Sequence, residues 1–99
     1  MFIRRTTYKL VPEHDTVEGQ QAFEAEMQEL IRPEAISGLI SANHVRNDDG
    51  TWSVVAVWQS ESHAMSNSED IRKVWKGFTS RLSASPEIET GGVTLMRDS

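Results

Sequence analysis

The chain has 99 residues, 37% of them apolar, with no cysteine and a net charge of −5 from fifteen acidic and ten basic side chains. That length holds one domain with one modest core, spanning 1–99. The missing cysteines exclude disulfides, thiolate catalysis and cysteine-ligated zinc, and the acidic balance argues against nucleic acid as a partner. No apolar run approaches the roughly 18 residues that cross a bilayer, so no membrane partner is expected. Arg4 and Arg5 stand where a signal-peptide core would have to run, and a cytoplasmic location is expected.

Residues 2–11 are rich in β-branched and aromatic side chains and stop at Pro12, which predicts a first strand. Asp15 followed by Glu18 reads as a capping box opening a helix to Arg32, with Phe23, Met27, Leu30 and Ile31 at helical spacing. Pro33 stops that helix. Gly38 opens a second strand over 39–46, and Asn47-Asp48-Asp49-Gly50 reads as a hairpin turn. The third strand, 51–59, has Trp52, Val54, Ala56 and Trp58 on one face and Val55 and Val57 on the other. Ser60 and Ser62 cap a short turn. Ser66 with Glu69 reads as a second capping box, leading into a helix whose Ile71, Val74, Trp75, Phe78 and Leu82 share one face. Pro86 precedes a last strand over 87–96, where Gly91-Gly92 marks a bulge or bend.

The order strand, helix, strand, strand, helix, strand predicts an α+β class, the ferredoxin-like βαββαβ fold with a four-stranded antiparallel sheet. Both helices then lie on one face. The valines on the far face of the third strand require another cover, and a second copy of the chain is the economical one, so a homodimer is expected.

The length, the layout and the stretch Val57-Trp58-Gln59-Ser60-Glu61-Ser62-His63-Ala64, followed by Ser66-Asn67-Ser68-Glu69 and the helix through Trp75 and Phe78, resemble the antibiotic-biosynthesis-monooxygenase-like domains of the dimeric α/β-barrel superfamily. Gly38-Leu39 also looks like that family's glycine at the start of strand two. The resemblance covers nearly the whole chain, on caps and packing positions rather than reactive groups. It implies a dimeric barrel with a pocket between helices and sheet, and an oxidoreductase that oxygenates a small aromatic or polyketide-like substrate with no cofactor. The alternative it leaves open is a non-catalytic, small-ligand-binding or stress-associated module of the same fold. The haem-degrading branch carries an Asn on strand one, a Trp just before helix two and a His within it. Laid on Asn67-Ser68, the Trp falls at Met65 and the His at Trp75, and strand one has no Asn, which argues against haem cleavage.

Among groups able to carry chemistry, the three histidines stand out because they change charge near neutral pH. His14 lies in a polar loop. His44 is either a general base or a hydrogen-bonded sheet residue, and His63 either overlooks a pocket or is a solvated capping-turn residue. Their spacing fits no metal site. No nucleophile elbow or phosphate cradle occurs, and the acidic pairs Asp48/Asp49 and Glu69/Asp70 fit a turn and a helix start. The aromatics fill the core between helices and sheet, wall a cavity there, or do both. The candidate site is therefore His44 and His63 as catalytic groups, with Tyr8, Asn43, Trp58 and Trp75 against the substrate. In oxygenation without a cofactor, His44 is the nominee for the base.

Overall fold

The computed structural model describes residues 1–92. Its elements are β1 (Phe2–Tyr8), α1 (Val17–Leu30), β2 (Leu39–Arg46), β3 (Trp52–Trp58), α2 (Glu61–Lys76) and β4 (Glu87–Gly92), with short 3-10 turns at Pro33–Ala35 and Thr79–Arg81. The strands form one antiparallel sheet in the order β2-β3-β1-β4. This is the ferredoxin-like α+β arrangement expected from the sequence.

Several boundaries differ from the sequence expectation. β1 ends at Tyr8, and Leu10 reaches across instead to an isolated bridge with Leu82. Thr16, not Asp15, caps α1, its hydroxyl accepting from the Gly19 amide at 3.0 Å. The largest difference is at α2. It is one continuous helix capped by Ser60, whose hydroxyl accepts from the His63 amide at 3.2 Å. Ser66 and Ser68 lie inside it and donate back to the carbonyls of Ser62 and Met65. A hydroxyl that can bond its own helix turn does not have to start a helix. At the other end α2 stops at Gly77, so Phe78 is buried from the following turn rather than from the helix. Gly91 and Gly92 pair with Ile3 and Phe2 in unbroken register, and the bulge lies instead between Leu39 and Ser41 of β2. The expected continuation of the last strand through 93–96 lies outside the described residues.

Directly paired residues share a sheet face, so the registers sort the sheet into rows. One face carries Leu39–Trp58–Phe2, Ala42–Ala56–Arg4, His44–Val54–Thr6–Ile88 and Arg46–Trp52–Tyr8. This face meets the helices: Tyr8, Leu39, Val54 and Trp58 join Phe23, Met27, Ala64, Ile71 and Phe78 in one core. Phe23 stacks on Tyr8 at 4.5 Å between ring centroids and tilts against Phe78 at 4.8 Å and Trp75 at 6.1 Å. The opposite face carries Ser41–Val57–Ile3, Asn43–Val55–Arg5–Glu89 and Val45–Ser53–Thr7–Glu87. None of those residues belongs to the core.

Candidate functional site

The helices cover β2, β3 and β1 more completely than β4, all of whose described residues are exposed. The layer between helices and sheet is therefore dense in its middle and open at both edges. At the β2 edge, His44, Ala42 and Val54 face Met27, Ile31, Arg32 and Glu34 across a cavity of about 230 Å3. In the middle, Trp58, Ala56, Arg4, Ile31, Ile71 and Trp75 enclose a cavity of about 20 Å3. At the β4 edge, Arg4, Arg72, Trp75, Lys76, Leu82 and Ile88 border a cavity of about 450 Å3. The first two share Ile31 and Val54, and the last two share Arg4, Thr6 and Trp75. Small side chains make this layout: Ala42 and Ala56, neighbours in one row, floor the layer between His44 and Arg4.

Four side-chain polar atoms among the described residues are buried without a hydrogen-bond partner: His44 Nδ1, Trp58 Nε1 and Arg4 Nε beside these cavities, and Gln20 Oε1 on α1. Buried polar groups normally find partners, so three orphans along one layer mark it as a place where a ligand or water is to be bound. Burial pushes the His44 pKa down, opposed by the Glu24 charge, so its imidazole is neutral at pH 7. For Arg4, burial comes first and the Arg72 charge second, and both lower its pKa.

Of the residues singled out in the sequence, His44, Trp58 and Trp75 border this row of cavities. Asn43 does not. It lies on the other face of the sheet, where its amide donates to Ser41 Oγ at 3.2 Å and to the Val55 carbonyl. Strand alternation puts neighbours on opposite faces, so Asn43 and His44 cannot share a pocket. Tyr8 is packed into the core beneath Phe23, its hydroxyl accepting from Gln20 Nε2 at 2.9 Å. Burial raises its pKa to about 12, the Gln20 bond pulls the other way and the Glu24 charge adds to the rise. A phenol held protonated in that way is no base. His63 Nδ1 lies 2.7 Å from Ser60 Oγ, and its ring packs on Gly38, a capping and packing role. The sequence reading passed over Arg4 and Arg72. Arg4 stood among Thr6, Tyr8 and Leu10 on one face of strand one, and a cation on the core face was the signal.

No family model matches the sequence, and no curated protein matches it. Solved structures do. A protein of unknown function from Nitrosomonas europaea superposes with a TM-score of 0.75 at 15% identity, over 99% of this chain and 93% of that one. An antibiotic biosynthesis monooxygenase superposes with a TM-score of 0.70 at 8% identity, over 96% of this chain and 100% of the other. The chain has the monooxygenase-like fold. A variant of MhuD, with two manganese protoporphyrin IX molecules bound per active site, shares that monooxygenase-like fold at a TM-score of 0.73 and 9% identity, each chain covered in full. At such identities the shared property is the fold, and function has to be argued from the site. Among the described residues no group of three or more metal-ligating side chains converges, and no helix is long and apolar enough to cross a membrane.

Proposed function

We propose that the layer between helices and sheet binds a small aromatic molecule and that His44 serves as the base for its oxygenation without a cofactor. The observation that carries this reading is a neutral His44 on the wall of a 230 Å3 cavity, with its Nδ1 buried behind that wall and not bonded to any protein group. A base must be unprotonated at working pH and must not already be committed to a protein donor. An electron-rich phenol would give its proton to His44, and the phenolate would pass an electron to dioxygen. Recombination forms a carbon–oxygen bond to a peroxide, and His44 returns the proton to it. Loss of water then leaves a quinone, so phenol plus dioxygen gives quinone plus water, with the substrate as reductant.

Oxygen uptake with a panel of phenols tests this. Wild-type protein should consume oxygen with at least one of them, and His44→Gln should lower the rate roughly a hundredfold or more. The wild-type rate should hold near neutral pH and fall as the pH drops through the lowered His44 pKa. Uptake that survives the substitution removes His44 from the reaction.

A second reading, binding without turnover, is favoured by Trp58 Nε1 and Arg4 Nε, which offer only donors around the middle of the layer. Porphyrin is a poor fit to either reading. The enclosed cavity between Trp58 and Trp75 measures about 20 Å3, and the histidine of α2, His63, is tied to Ser60. The bare sheet face, with Ile3, Val55 and Val57 side by side across β1 and β3, supports a homodimer as the working form.

A further inference from the structure

We propose that the β4-edge cavity is an anchor for the carboxylate of an aromatic acid, held by Arg4, Arg72 and Lys76 with Trp75, Leu82 and Ile88 against its apolar body. The proposal rests on the reading that the layer takes an aromatic ligand, and not on whether that ligand is turned over. In a chain of net charge −5, three cations border one cavity of about 450 Å3, and among the described residues no acidic one borders it. Among the described residues the ion pairs are Arg32–Glu34 and Arg81–Glu26, so none of the three cations is spoken for. Like charges facing one partly buried space repel each other unless an anion joins them. Arg4 reaches furthest in: it borders both this cavity and the enclosed one, and its Nε has no partner. Trp58, only 1% exposed, borders the enclosed cavity and also has an unpartnered Nε1–H. A guanidinium presents donors in a fork that matches a carboxylate, and the indole N–H can only donate. The remaining walls are apolar. Ile88 is 52% exposed although it faces inward along the His44–Val54–Thr6 row, so the described chain leaves about half of it uncovered. An aromatic ring would cover the rest.

The test is a titration of the full chain with 2-naphthoate, its methyl ester and inorganic phosphate, followed by tryptophan fluorescence and calorimetry. Naphthoate should bind, the ester roughly tenfold or more weakly, and phosphate should compete poorly because it has no apolar body. Raising the ionic strength should weaken naphthoate and leave the ester unchanged. Arg72→Gln and Lys76→Gln, on the exposed side of α2, should each weaken naphthoate by roughly three- to tenfold without changing the fold. Arg4→Gln should weaken it most. Arg4→Lys, which keeps the charge, guards against loss of folding at that position and should restore part of the affinity. An ester that binds as well as the acid, or indifference to all three cations, overturns the anchor and leaves the aromatic-ligand reading standing. Phosphate competing as strongly as naphthoate overturns the aromatic part. If neither acid nor ester binds, both readings fall.

Discussion

The imidazole of His63 occupies the space in which a side chain at Gly38 would stand. Gly38 has φ +85°, and a Cβ built on it would overlap the ring. Two costs therefore attach to Gly38→Ala: left-handed backbone strain of about 1–2 kcal/mol and crowding of about 1–3 kcal/mol. The substitution should destabilise the protein in urea by their sum, and adding His63→Ala should relieve the part of the second cost that comes from the ring, but neither the contact with the Cβ that alanine keeps nor the first cost. A double-mutant cycle reads the coupling. A neutral Gly38→Ala would mean that the His63 ring does not pack on Gly38 in solution.

Ser53 is 0% exposed although it lies on the sheet face that no helix covers. Its hydroxyl accepts from Arg5 Nε at 3.2 Å and Asn47 Nδ2 at 2.9 Å, and lies 2.9 Å from Thr7 Oγ1. Ser53→Ala should cost about 0.5–1.5 kcal/mol in equilibrium unfolding, because the half-buried donors of Arg5 and Asn47 each lose one acceptor. A loss below the error of the measurement would mean that water replaces the hydroxyl freely.

Tyr8 titrates near 10 when unfolded and at about 12 in the folded chain. With the folded value raised, stability is fully kept below the unfolded pKa and is lost as pH rises through the folded one. Unfolding free energy should fall by roughly 2–3 kcal/mol between pH 10 and 12 on this account. Tyr8→Phe should flatten that slope. An unchanged slope would assign the alkaline loss to other groups.

Val55 and Val57 stand on the bare face beside Ile3, with Val45 at 37% exposure on the same side. Sedimentation should give twice the chain mass for the wild type and a single chain for Val55→Asp with Val57→Asp. A wild-type monomer at micromolar concentration removes the homodimer from the proposed function.

The elements were legible because they rest on local signals. Gly50, at φ +86°, closes the β2–β3 hairpin where Asp49-Gly50 forecast it, and Pro33 follows the end of α1. The start of α2 was misread because a serine hydroxyl three or four residues from a carbonyl has two uses, capping and back-bonding, and the sequence pattern is the same for both. The site was less legible still. His44, Trp58 and Trp75 share one layer, whereas Asn43, adjacent to His44 in sequence, is on the far side of the sheet. In the sequence Arg4 stands out only as a charge beside Arg5 where a signal-peptide core would run.

Composition, periodicity and turn chemistry by themselves determined the α+β class, its strand and helix order and the two-sided apolar character of β3, since these depend on neighbours a few residues apart. Tertiary structure alone decided which cations meet. Arg4 on β1 and Arg72 on α2 are far apart along the chain, and only the docking of α2 over β1 brings them to one cavity. Packing between distant elements, not sequence spacing, sets the charge inside a pocket. The net charge of the whole chain therefore says nothing of the small positive space at the edge of the sheet.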